Sequence, residues 1–170
     1  AITDFSYLFR EFQDSATSFN SDISSWDVSS GTDFSGMFRG ATAFDQDIGS
    51  WNVSSGDNFL EMFRNTTAFN RDLTNWDVSA GNNFGSMFQG NTSFNGDVSG
   101  WNVSFGNDFS YMFLNNSSLD QDLSGWNVGG ATDMHGMFYG TSNFNSDISG
   151  WDVSSVTDFS GMFEGASTFD

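Results

Sequence analysis

The residues best suited to chemistry are carboxylates and carboxamides set two apart: Asn20 with Asp22, Asp45 with Asp47, Asn70 with Asp72, Asn95 with Asp97, Asp120 with Asp122, and Asn145 with Asp147. Such pairs present hard oxygen donors of the kind calcium takes, which makes Asp22, Asp45, Asp47, Asp72, Asp97, Asp120, Asp122 and Asp147 the candidate metal ligands. The competing account is local. Asp followed by x-Ser is an Asx-turn pattern, in which the carboxylate accepts a backbone amide two residues on. Some favourable contact is required either way. Carboxylates stacked about 4.8 Å apart would repel by about 0.9 kcal/mol per pair even at the dielectric of water.

Little else in the chain resembles catalytic equipment. His135 is the single histidine and is expected on the solvated side of a helix, without the partners that a triad or a histidine metal cluster needs. There is no cysteine, so thiolate chemistry and disulfides are excluded. The many serines lie in repeated turns with no base beside them. No enzymatic activity is expected.

A strict period positions these residues. Trp26, Trp51, Trp76, Trp101, Trp126 and Trp151 are each 25 apart, and Val28, Val53, Val78, Val103, Val128 and Val153 keep the same step. A period of this size marks a stacked repeat architecture. The chain of 170 residues therefore divides into an atypical N-terminal partial unit, 1–19, and six units of 25 residues over 20–169. In the partial unit Phe5, Leu8, Phe9 and Phe12 have helical spacing, as an amphipathic capping helix would.

Within each unit an aliphatic residue precedes Trp-x-Val in the L-x-x-L-x-L frame of leucine-rich repeats. Trp26 and Val28 alternate with Asp27 and Ser29, the period of a half-buried strand. Pairs such as Thr32-Asp33, Asp57-Asn58 and Asn82-Asn83 then read as helix N-caps, and Phe34, Met37 and Phe38 at i, i+3, i+4 as a buried helical stripe. Gly40, Asn65, Gly90, Asn115, Gly140 and Gly165 are placed to stop that helix. The expected fold is a right-handed α/β solenoid with one short strand and one short helix per unit.

On that strand the outward residues are Asp27, Asn52, Asp77, Asn102, Asn127 and Asp152, flanked by Ser29, Ser54, Ser79, Ser104 and Ser154. They form the candidate binding face for carbohydrate, protein or an ordered surface, set against the plainer reading of a solvated strand. Asn65, Asn91, Asn115 and Asn116 lie in N-x-Ser/Thr sequons at expected loops and are candidate glycan acceptors.

The 22 acidic residues outweigh four arginines to give a net charge of -18, a surface that repels nucleic acid and anionic membranes. No apolar run reaches the length of a membrane span. Cations, carbohydrate, basic proteins or further copies of the chain are the expected partners. The C-terminal unit lacks a polar cap and stops where another would begin, so a head-to-tail filament is a second expectation.

The run Phe144-Asn-Ser-Asp-Ile-Ser-Gly-Trp-Asp-Val-Ser-Ser-Val-Thr-Asp-Phe-Ser-Gly-Met-Phe163 resembles the bacterial-surface-protein-A-like repeat family, which is related to leucine-rich repeats and includes mycoplasma-type surface lipoproteins. The chain differs from it in usually placing Gly where that family often has Val, kept at Val156, and Phe where it often has Met, kept at Met134. The resemblance covers nearly the whole chain. It implies a non-enzymatic extracellular or cell-surface role in adhesion or scaffolding.

Overall fold

The structure is a computed structural model that describes residues 1–9 and 18–170. Phe12, the last member of the expected N-terminal helix, lies outside the described residues, and residues 6–9 form a turn. From Asn20 the chain winds in six coils, which we number 1 to 6: 20–44, 45–69, 70–94, 95–119, 120–144 and 145–169. A partial coil, Thr3 to Phe9, precedes them. Consecutive coils lie in register through single parallel bridges, Asp4 to Asp33, Asp33 to Asn58, Asn58 to Asn83, Asn83 to Asp108, Asp108 to Asp133 and Asp133 to Asp158.

The expected α/β solenoid is not what forms. Among the described residues there is no helix, and extended pairing is confined to those single bridges. The reason lies in where the amides go. In coil 1 the N–H groups of Phe34, Gly36, Phe38 and Gly40 donate to coil 2, at Asn58, Leu60, Met62 and Arg64 carbonyls, over 2.7 to 2.9 Å. The intervening amides of Met37, Arg39 and Ala41 donate three residues back, over 2.9 to 3.2 Å. A helix would keep all of them within its own segment. Left-handed backbone makes the switch, at Gly36 (φ 57°) and Gly40 (φ 77°). Glu61, Ser86 and Tyr111 adopt φ of 55 to 57° at the place of Gly36, which costs an L-residue about 1–2 kcal/mol and is sustained by the bonds on either side.

The strand expected at Trp-x-Val fails for a related cause. The Ser29 amide, which a ladder would need, is taken by Asp27 Oδ1 at 3.1 Å, and Asn52, Asp77, Asn102, Asn127 and Asp152 hold the matching amides in every later coil at 3.0 to 3.2 Å. Side-chain acceptors of this kind compete with regular secondary structure. What joins the coils here is the indole. Trp51, Trp76, Trp101, Trp126 and Trp151 each donate Nε1–H to a carbonyl of the coil before, at Ile23, Ile48, Leu73, Val98 and Leu123, over 3.0 to 3.2 Å.

Burial follows the expected pattern although the backbone does not. Phe34, Met37 and Phe38 are wholly buried, as are their counterparts through coil 5. Rings at equivalent positions stack along the axis: Phe38, Phe63, Phe88, Phe113, Phe138 and Phe163 at centroid separations of 5.4 to 5.8 Å. A second column of Phe34, Phe59, Phe84 and Phe109 runs beside it and gives way to Met134 in coil 5. The polar turns outside this aromatic core are what face a partner.

Candidate functional site

Four columns of Asp and Asn run the length of the stack, each holding a backbone amide. The first begins at Asp22, whose Oδ1 accepts from Ser24 N–H at 2.9 Å. Asp47, Asp97, Asp122 and Asp147 do the same for the amide two residues on. Asp72 instead accepts from the Asp97 amide of the next coil at 3.0 Å. The second column is the Asp27 series. The third begins at Asp4 and Asp33, which hold Ser6 and Ser35 amides at 2.8 and 2.9 Å. Asp33 and its later counterparts, expected as helix caps, cap turns instead.

The fourth column was missed as such. Asn20, Asp45, Asn70 and Asn95 accept, through Oδ1, the amide of the equivalent residue one coil later, over 2.8 to 3.2 Å, and Asn145 does so for Asp170 at 3.1 Å. The signal for it was the restriction of that position to Asn or Asp while its neighbour varied freely. Asp45 is further held by Arg71, with Nη2 to Oδ2 at 2.6 Å.

These contacts bear on the metal candidates. The carboxylates that were paired as calcium ligands turn to different amides, and no group of three or more His, Cys, Asp or Glu converges among the described residues. The local Asx account describes the observed geometry. It also shifts the acidities. The Ser24 amide, then its hydroxyl, draws Asp22 below the ordinary carboxylate range, and the Ser29 hydroxyl, then its amide, does so for Asp27. Asp4, Asp77, Asp97, Asp122, Asp147, Asp152 and Asp158 are lowered in the same way. Repulsion by Asp122 raises Asp147, but as the smallest of its influences.

An acid response follows. A carboxylate with a depressed folded-state pKa contributes stability that is complete above its unfolded value, about 3.9, and disappears as pH falls through the folded value. Relief of charge repulsion acts in the opposite direction. With nine carboxylates depressed, the melting temperature is expected to fall once pH drops below about 4. Thermal melts by circular dichroism from neutral to acidic pH test this, and a melting temperature that keeps rising on acidification would show that repulsion wins.

Of the glycan candidates, Asn91 and Asn116 are wholly buried at the position occupied elsewhere by Ala41, Thr66 and Thr141, so the folded coil leaves no room for a sugar there. Asn65 and Asn115 are exposed, each in left-handed backbone with φ 57°. On the candidate binding face all of Asp27, Asn52, Asp77, Asn102, Asn127 and Asp152 are exposed, while Trp51 and Val53 and their interior counterparts point inward.

His135 has partners that its sequence setting concealed. Its Nε2 lies 2.7 Å from Tyr111 Oη in the coil before, and its Nδ1 lies 3.6 Å from Asp158 Oδ2 in the coil after. Asp133 holds its amide at 2.9 Å. With the proton on Nδ1 facing Asp158, Nε2 accepts from the phenol, so one imidazole ties three coils together. Glu61 plays a similar part between Arg39, at 2.7 Å, and Arg64. No helix of the described residues is long and apolar enough to cross a membrane.

Compared with known proteins, the chain matches the family described as "Mycoplasma protein of unknown function, DUF285" twice, over residues 1–89 and 72–170. No curated protein and no solved structure matches it.

Proposed function

Because the chain belongs to this Mycoplasma-associated repeat family of unknown function, we propose that it is a non-enzymatic scaffold of the cell exterior that adheres through its long polar flank. The observation that carries the reading is the Asp27 column. Six exposed carboxylates and carboxamides recur once per coil, and each is held in one orientation by its bond to the amide two residues on. An array fixed before contact loses less side-chain freedom on binding than free surface residues do. Its acidic and amide groups suit basic protein segments or carbohydrate hydroxyls. The resemblance to bacterial-surface-protein-A-like repeats supplies the surface location and the adhesive role.

The test replaces Asp27, Asp77 and Asp152 together by asparagine. Asn52, Asn102 and Asn127 already fill the same turn, so the fold keeps its acceptors while the flank loses three charges. Wild type and variant are applied to arrays of glycans and of extracellular matrix proteins. Retention of a ligand by wild type, weakened about tenfold or more in the variant, corresponds to a loss of about 1.4 kcal/mol and supports the flank. Equal retention of both, or none on either array, would sink the proposal.

A further inference from the structure

Because the coils repeat, a departure from the repeat marks a local demand, and several departures meet on the polar flank at coils 4 and 5. The first is Phe105. The other coils have Ser30, Ser55, Ala80, Gly130 and Ser155 at its position. Phe105 is 72% exposed, more than any other large apolar side chain among the described residues. Its neighbours in that column do not cover it, since Ala80 has a single methyl group and Gly130 no side chain.

The second departure is Gly129-Gly130. Gly129 replaces the serine found at Ser29, Ser54, Ser79, Ser104 and Ser154 in the other coils. Its backbone is not left-handed, and a Cβ there would meet nothing closer than Asn127 Oδ1 at 3.4 Å, so a serine would fit. The glycine leaves that place open. A Cβ on Gly130 would lie 3.1 Å from the Ser104 carbonyl, which sets Gly130 against the turn that carries Phe105.

The third departure is in charge. Asn102 and Asn127 occupy the Asp27 column here, with Asp77 in the coil before and Asp152 in the coil after, so the surroundings of Phe105 in that column are neutral in a chain of net charge -18. Each carboxamide is fixed through Oδ1, Asn102 by the Ser104 amide and Asn127 by the Gly129 amide, both at 3.2 Å. Neither Nδ2 has an acceptor among the described residues. Asn82 Nδ2 donates to the Phe105 carbonyl at 3.2 Å and steadies the turn.

We propose that this patch is a subsite for an uncharged sugar residue, whose C–H face lies on the Phe105 ring while its hydroxyls accept from Asn102 and Asn127 Nδ2–H. The face of an aromatic ring is electron-rich and attracts the C–H groups of a sugar. Donors fixed before contact lose little freedom on binding. A ligand with one apolar face and several hydroxyls matches a single bare ring beside two carboxamides. A protein partner seeking an apolar anchor needs a larger contiguous patch, and an acidic sugar is repelled by the net charge. The subsite, which rests on the reading of this flank as the adhesive face, narrows that face to coils 4 and 5 and its ligand to a neutral saccharide.

Nuclear magnetic resonance of the labelled chain tests it, with uncharged oligosaccharides of glucose, galactose, mannose and N-acetylglucosamine as probes and an oligolysine peptide for comparison. At least one oligosaccharide at about millimolar concentration is expected to shift the amides of Phe105, Gly129 and Gly130 and the Asn102 and Asn127 carboxamides. Phe105→Ser, which installs the residue of coils 1, 2 and 6, should weaken that sugar about tenfold or more, while the variant with Asp27, Asp77 and Asp152 replaced by asparagine should bind it within about twofold of wild type. Oligolysine held by wild type and lost from the three-asparagine variant, with no sugar bound, overturns the subsite and leaves the flank reading standing. No response to any probe overturns both. Sugar-induced shifts confined to other parts of the chain, or equal binding by Phe105→Ser, also overturn the subsite. The map of shifts on wild type stands even if a variant misfolds.

Discussion

Gly81→Ala is expected to destabilise the protein by about 1–3 kcal/mol, and Phe84→Met in the same chain to restore most of the loss. A Cβ on Gly81 would lie 2.5 Å from Phe84 Cζ, 3.0 Å from the Val78 carbonyl and 3.2 Å from Phe59 Cε2. The ring has little freedom to yield, since Phe84 is wholly buried and stacked between Phe59 at 5.6 Å and Phe109 at 5.4 Å. Coil 5 shows the compensation already made: Ala131 stands in place of the glycine, Met134 in place of the phenylalanine, and both are wholly buried. In coil 6 Val156 stands at the glycine position and Phe159 is 43% exposed. Gly with Phe, or a larger residue with Met, is thus one volume divided in two ways. Denaturant unfolding of the two single variants and the double variant gives the coupling energy. Additive effects would show that the two sites do not share the space.

Phe88→Ala is expected to cost about 3–5 kcal/mol, within reach of the whole stability of an ordinary domain. Phe88 is wholly buried and stacks on Phe63 at 5.4 Å and Phe113 at 5.7 Å, with Phe94 at 4.0 Å. Each coil touches only its neighbours, so the cavity weakens one interface rather than a common centre. Calorimetry should then find two transitions, or a calorimetric enthalpy above the van't Hoff value. Phe163→Ala, in the half-buried end coil, should lose distinctly less. A single sharp transition in the Phe88 variant with a loss below about 1 kcal/mol would contradict the stacked-core account.

The period and the inward residues were legible from residue spacing alone, because burial obeys spacing whatever path the backbone takes. Phe34, Met37 and Phe38 fit a helix and are buried without one. The warning was a glycine within the supposed helix, at Gly36, Gly136 and Gly161; Glu61, Ser86 and Tyr111 concealed it by adopting the same left-handed backbone. The strand was misread because Asp27-x-Ser29 was taken as alternation, when it repeats the turn pattern recognised at Asp22-x-Ser24. Local bonds such as Asp22 to Ser24 could be foreseen from two residues. The ties from Asn20 to Asp45, or from Tyr111 through His135 to Asp158, depend on partners a full coil away and on the register that brings them together.

The alternate donation of amides from one coil to the next has a mechanical consequence. Those bonds cross from coil to coil, while the bonds inside a coil close only short turns. Tension along the stack is therefore carried by every coil interface in series, and the weakest yields first. Each failure frees 25 residues, about 85 Å of extended chain, and relaxes the load until the next interface yields. Under pull the molecule is a length of stored chain released in equal steps.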